Sequence, residues 1–308
     1  DMGRRNKVKL KRNDLFIGIY ILSAVLFFII SIPSWLLDIL LAFNIMVALV
    51  ILFNSLFAKE VLDMASFPTM LLFTTIFRIS LNVSSTKMIL RDGYAGHVVS
   101  VFGQFVGGGN LVIGTIIFIV LIIVQFIVIN KGSERVSEVT ARFTLDAMAG
   151  KQMAIDSDLN TGAITDKEAA ERRKKLQQEN SFFGSMDGAT KYVKGDATAG
   201  LIITAINLVG GIAMGMLYNG MSINDALSTY SILTIGDGLC SQIPSLLISL
   251  STGILVTKAS SEGELGDEMV GQLFSMDRVL IMVGAALILL GVGTPLPFYI
   301  FVPLGVAL

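Results

Sequence analysis

Two long apolar runs decide what this chain can be. Residues 111–129 are nineteen positions without a charge, and residues 197–217 are twenty-one more. A helix needs about 20 consecutive apolar residues to cross a hydrocarbon core ~30 Å thick, so each run reads as a membrane span. Between them, residues 131–196 hold eleven Lys/Arg and eleven Asp/Glu, an even mixture that suits water and cannot sit in hydrocarbon. The pattern is membrane block, wet insert, membrane block. Composition agrees, since 15% of residues are charged where soluble domains have about 25%.

The other spans follow from the same rule. Arg4, Arg5, Lys7, Lys9, Lys11 and Arg12 make residues 1–14 a basic start before the apolar run 15–32, and a Lys/Arg excess marks the cytoplasmic side. Pro33 and Trp35 mark an interfacial turn before a second span at 36–57. The fifteen residues 67–81 give only ~22 Å of helix and carry Arg78, so a third span needs the flanks out to 61 and 83. Parity supports it. The N-terminus and the insert hold 17 of the 23 Lys/Arg, which places both in the cytoplasm and requires an even number of crossings between them. Residues 84–110 then lie outside as short amphipathic pieces. Gly107, Gly108 and Gly109 lack the Gly-Lys-Ser/Thr of a phosphate loop and read as a hinge.

After the insert come 197–217, a loop at 218–230, 231–256, a polar loop at 257–277, 279–294 and a run from Pro295. The expected fold is an all-α polytopic membrane protein with about eight transmembrane helices. Residues 15–130 carry spans one to four, 131–196 form a helical cytoplasmic insert, and 197–308 carry spans five to eight. No small-residue cleavage site follows 15–32, so a cleaved leader is not expected. A chain running from Asp1 to apolar Leu308 is expected to be part of a longer protein.

No enzyme constellation is present. His97 is the one histidine and Cys240 the one cysteine, which excludes a histidine-rich metal site and an internal disulfide; no cofactor is expected. Asp156 and Asp158 lack the rest of a calcium loop. A net charge of −1 gives no reason to expect nucleic acid. Within the insert, Thr165 and Glu168 have capping-box spacing, and Glu168–Arg172 and Glu171–Lys175 are candidate i,i+4 pairs. The run Arg172, Arg173, Lys174, Lys175 reads as a solvated face or an anionic-lipid contact. Gly211 and Gly215 form a GxxxG packing pair.

The informative residues are ionisable groups in or beside the spans, where a charge is costly and is kept for pairing or transport. Asp237 stands between Gly236 and Gly238 with Gln242 and Pro244 beyond, which suggests a locally opened helix; a structural salt bridge and an ion path both fit. Arg78 lies ~16 Å from one edge of its span and Asp237 ~9 Å from the opposite edge. In a ~30 Å core those depths nearly coincide, so the two are expected to pair. Asp196 closes the insert, where a carboxylate in a first helical turn is favourable and proton uptake is the functional alternative. Asp38 reads as interfacial.

Residues 135–158, RVSEVTARFTLDAMAGKQMAIDSD, closely resemble the signature of the flagellar and type III secretion export-gate family (FHIPEP). FRISLNVSSTK (77–87), GSMDGATKYVKG (184–195) into Asp196, and LTIGDGLCSQIPSLLIS (233–249) resemble further blocks of that family in the right order. Ala149 stands where the family typically has proline, and Thr140 replaces a smaller residue. The resemblance implies an inner-membrane, homo-oligomeric ring, nonameric in the family, working beside other export-apparatus subunits. It also implies a large C-terminal cytoplasmic domain, absent from this sequence, that docks exported proteins and chaperones. It carries over Arg78, Lys191, Asp196 and Asp237 as ion-path candidates, and Arg135, Glu138, Arg142, Asp146, Gly150, Lys151, Asp156 and Asp158 as signature positions; the wording is closer to the flagellar branch. The expected function is non-enzymatic coupling of the proton-motive force to protein export. The alternatives are an ion-coupled small-solute transporter, which usually shows internal repeats not found here, and a passive scaffold.

Overall fold

The computed structural model describes residues 12–107, 110–258, 265–294 and 297–307. Among these residues every regular element is helical. The chain divides into two compact units, Asp1–Ala259 and Ser260–Leu308. Gly108, Gly109 and the basic residues Arg4 to Lys11 lie outside the described residues.

In the first unit, α1 (Arg12–Ile29), α2 (Ser34–Phe57), a 3-10 turn (Val61–Met64) and α3 (Phe67–Asp92) lead to a short α4 (His97–Gly107). Next, α5 (Leu111–Ile123), a π-helical segment (Val124–Asn130) and α6 (Lys131–Asn160) run on as one rod. After a turn, α7 (Asp166–Leu217) returns as a single helix of 52 residues, and α8 (Ile223–Thr257) completes the unit. Five helical stretches of this unit are long and apolar enough to cross a membrane. Their outward faces are rich in exposed Ile, Leu and Val, as along α5, which is what lipid contact requires.

α3 and α8 sit centrally, with 56% of their most apolar stretch buried, against 17% for the 111–160 rod and for α7. Central position explains their polar sequences. Thr75, Ser80, Asn82 and Ser85 on α3 and Ser245, Ser249 and Ser251 on α8 are buried against protein, where Ser80, Asn82, Ser85, Ser249 and Ser251 have hydrogen-bond partners. Ser84 Oγ donates to Phe27 O, and Lys87 Nζ donates to Phe28 O, at the last turn of α1. A buried lysine, Lys258, donates to Leu56 O at 2.7 Å and to Ala58 O, placing a cation at the negative end of α2.

Several expected boundaries move. The third span is a 26-residue helix, ~39 Å long, ended by Gly93 in the left-handed region at φ 59°. Residues 84–110 are therefore more continuous than expected. They finish α3 and supply α4, which buries Val99, Gly103 and Gly107 against α8. The 218–230 loop shrinks likewise, because Ile223–Tyr230 already belong to α8. α4 owes its start to Asp38, whose carboxylate accepts from the backbone N–H of His97 and of Val98, both at 2.9 Å. Replacing Asp38 with alanine should cost about 0.5–2 kcal/mol, the usual loss of an N-cap, while asparagine should retain most of it; thermal unfolding in detergent reads both.

The insert is continuous with the spans. Its composition changes at 131 and 196, but the helices do not break there, so it is an antiparallel hairpin projecting from the bundle. Ala141, Phe182, Phe183, Met186 and Ala189 at its base join one apolar cluster with residues of α2, α3 and α8. The capping box forms as expected: Thr165 N donates to Glu168 Oε2 at 2.8 Å, and Glu168 N donates to Thr165 Oγ1 at 3.3 Å. The two i,i+4 pairs do not. Glu168 is occupied by the cap, and the cations reach across helices instead, Arg172 to Asp158 (3.2 Å), Arg173 to Asp156 (2.5 Å) and Lys175 to Glu60 (2.7 Å).

The cap hydrogen bond to Thr165 N–H holds the Glu168 carboxyl below its ordinary value of 4.5. A depressed carboxylate stabilises the folded form above that ordinary value and loses the contribution as pH falls below it. Protection of residues 165–168 against amide exchange should accordingly fall as pH drops below that ordinary value, and Glu168→Gln should abolish the dependence.

The second unit contains α9 (Leu265–Phe274), α10 (Asp277–Gly293) and α11 (Phe298–Ala307). α10 and α11 form a hairpin whose backbones approach at Gly284 and Gly305. α11 has ten residues, ~15 Å, about half of a crossing.

Candidate functional site

Three of the ionisable groups buried in the first unit, Arg78, Asp196 and Asp237, lie where α3, α7 and α8 meet. Arg78 on α3 is 1% exposed. Its Nε donates to Asp196 Oδ2 at 2.8 Å, and Nη2 donates to the same oxygen. The opposite charges offset each other's desolvation, and the two hydrogen bonds on one carboxylate oxygen supply the close geometry this needs. Arg78 Nη1 is buried without a partner among the protein's groups.

Asp237 is a separate node. It is 4% exposed and accepts from Asn207 Nδ2 of α7 at 2.8 Å. The expected Arg78–Asp237 pair is therefore replaced by Arg78–Asp196. Helix register is the reason. Asn82 Nδ2 donates to Ser241 Oγ at 3.0 Å, which fixes the antiparallel stagger of α3 against α8 and sets Ser85 beside Asp237. Arg78 is seven residues further along, ~10 Å away. Matching depths narrowed the choice of partner, but the parallel α7 brought Asp196 to Arg78 first.

Asp196 is likewise not in a first turn, because α7 begins thirty residues earlier, at Asp166. Nor is α8 opened around Asp237, for it runs unbroken through Gly236, Gly238 and Pro244. The glycines serve close approach. A methyl group at Gly236 would run into the Val99 carbonyl and Gly103 of α4, and one at Gly238 into the Phe118 ring of α5. The GxxxG pair is also a packing device, since the Tyr230 ring lies on Gly211 and Gly215.

Lys191 stays apart from this cluster. It is 65% exposed and pairs with Asp187 at 2.7 Å, a bond that raises its pKa above the ordinary lysine value. The signature positions lie on the hairpin. Glu138 meets both Arg135 (3.2 Å) and Arg142 (3.4 Å), Lys151 meets Glu179 (3.4 Å), and Asp146 and Gly150 are exposed on α6. Among the described residues no cluster of histidine, cysteine and acidic side chains could hold a metal.

One feature of the site escaped the sequence reading although helical spacing encodes it. Asp237, Ser241, Ser245, Ser249 and Thr252 recur every three to four residues on α8 and so share one face. Ser241 and Ser245 line a polar pocket with Asp196, Thr204, Gln125 and Gln242, and Ser249 and Thr252 line a second with Asn130, Glu134 and Lys194. The π-helical segment supplies Phe126 and Asn130 to both. Buried carboxylates with hydroxyl groups on the same helix face are costly inside a membrane protein and are rarely kept without a role.

The FHIPEP family model matches residues 24–308. The chain belongs to the FHIPEP family. Its relatives include the "Flagellar biosynthesis protein FlhA" of Bacillus subtilis, 53% identical over 94% of this chain and 43% of the relative. The protein of that name from Salmonella typhimurium is 49% identical over 92% and 42%, and "Protein MxiA" of Shigella flexneri is 46% identical over 96% and 43%. This FHIPEP chain thus spans about two fifths of the length of these relatives. No solved structure matches it.

Proposed function

We propose that this chain is the membrane portion of an export-gate subunit of a flagellar type III secretion apparatus, coupling the proton-motive force to protein export across the inner membrane. The observation that carries the reading is the buried Arg78–Asp196 pair, with Asp237 nearby, inside helices of a family that includes proteins named for flagellar biosynthesis. A carboxylate that gains a proton releases its guanidinium partner, and a released guanidinium on one central helix pulls differently on its neighbours. Proton binding thereby becomes helix movement. Asp237, held by a neutral partner, serves as the second stop.

The proposal includes eight spans with both termini in the cytoplasm, a homo-oligomeric ring, and contact with other membrane subunits of the apparatus. Substrates and chaperones are received by sequence beyond this chain. The role is non-enzymatic and needs no cofactor. Proton flux into vesicles carrying the full-length protein tests the reading. Asp196→Asn and Asp237→Asn should each lower flux and export together while the protein still assembles. Undiminished flux in both variants would leave a scaffold whose charges only fix packing.

A further inference from the structure

The two pockets beside Asp196 form one cleft. They share Phe126, Asn130 and Ala197, and they lie end to end between the π-helical segment with α6, α7 and α8. At the wet end the cleft begins between Lys194 of α7 and Glu134 of α6, whose side chains pair at 3.0 Å. Lys131 stands beside them with Nζ 5.3 Å from the centre of the Phe126 ring. Asp196 lines the second pocket, which runs on past it to Gly200, Thr204 and Gly238. Between the ends, hydroxyl and amide groups take the place of the leucines and isoleucines that dominate the lipid-facing helices. Ser249 Oγ donates to Asn130 Oδ1 at 3.0 Å, Ser133 Oγ donates to Ser249 O, and Gln125 Nε2 donates to Gln242 O at 2.8 Å. Ser245 Oγ lines the inner pocket, is buried, and has no partner among the protein's groups; Arg78 Nη1 behind Asp196 is in the same condition.

A buried hydroxyl left without a partner costs about 1–3 kcal/mol, and native proteins keep few of them. Such a hydroxyl in the wall of the cleft, on a helix with apolar residues to spare, indicates a place where a transient hydrogen-bonding species is received. The π-helical turn is consistent with this, since such turns interrupt regular packing and recur at functional sites.

We propose that this cleft is the cytoplasmic access route of the coupling ion to Asp196, and that the Glu134–Lys194 pair closes its mouth. Neither residue was singled out by the sequence, and both act on the ion's path rather than as its acceptor. The inference rests on the export-gate reading for the identity of the coupling ion and for which side is cytoplasmic. The Ser241, Ser245, Ser249 and Thr252 face of α8 is the ladder along which the ion descends, and Asp237 continues the same face beyond Asp196. A mouth closed by an ion pair opens when either partner is neutralised, and it stays closed when the charges are exchanged.

The test uses full-length protein with its native cysteines replaced by serine, in inverted vesicles whose cytoplasmic face is outward. Ser245→Cys is exposed to silver ions, and the thiols left for maleimide are counted after denaturation. Ser245→Cys should react well ahead of Ile248→Cys, which sits in the apolar cluster off the cleft. Adding Glu134→Gln should speed the reaction roughly fivefold, as expected when a partly exposed ion pair holding a closed state is lost. The exchange Glu134→Lys with Lys194→Glu should restore the slow rate, which also shows that the changes leave the fold intact. Equal rates for Ser245→Cys and Ile248→Cys, or a Ser245→Cys rate indifferent to the pair, would overturn the proposal. Export by Asp196→Asn is measured separately. Gated silver entry with export unchanged would sink the coupling reading and leave the cleft standing, whereas lost export with no entry would do the reverse.

Discussion

Asp196→Ala should be among the most damaging single substitutions in this chain. It leaves the Arg78 guanidinium, 1% exposed, as an uncompensated buried charge, and removing one partner of a buried pair typically costs about 3–5 kcal/mol. Arg78→Ala should do comparable harm from the other side. The double substitution Arg78→Met with Asp196→Leu removes both charges and fills most of the space, so it should recover much of the lost stability, because apolar pairs often equal or exceed buried ion pairs. Export should not recover with it. Thermal unfolding in detergent and an export assay separate the two contributions. Wild-type export from the apolar double variant would show that the pair serves packing alone.

The second large effect is expected at Gly236. A Cβ there falls on the backbone of α4 at Val99 and Gly103, and no rotamer change can relieve backbone against backbone. Overpacking of a core costs about 1–3 kcal/mol, and Gly236→Ala should lie at or above the top of that range; Gly236→Leu should separate α4 from α8. The contrast is Gly150 on the exposed hairpin, where nothing lies within 4 Å of an added Cβ. Gly150→Ala should raise stability by about 0.5–1 kcal/mol, the helix-interior penalty of glycine removed. If both glycines behaved alike under thermal unfolding, the close approach of α4 and α8 would be wrong.

The wet hairpin and its cap were legible because they depend on local rules. Charge density gave residues 131–196, and the Thr165–Glu168 spacing gave the start of α7 to the residue. The third span was legible only by parity, since the apolar run at 67–81 stops where Ser, Asn and Thr begin. Those polar residues read as a loop until the bundle buries them. The same cause hid α4, whose eleven residues fall short of a crossing and settle only against the glycines of α8. Arg172 and Lys175 were assigned partners on their own helix because a sequence shows only near neighbours. The hairpin and the turn after α2 then offered carboxylates from elsewhere.

Sequence alone determined which segments are apolar and which charged, the helical class, the family, and the list of ionisable groups that membrane insertion makes expensive. The family rests on the resemblance of its sequence blocks; the rest follows from composition and from periodicities a few residues long, which no tertiary contact can reverse. Tertiary structure decided the pairing within that list. Whether Arg78 meets Asp196 or Asp237 turns on the stagger of three helices against one another, and that stagger is set by contacts such as Asn82–Ser241, whose members are 159 residues apart. A distance of ~10 Å along a helix is only seven residues, too fine for depth arguments from apolar run lengths to resolve.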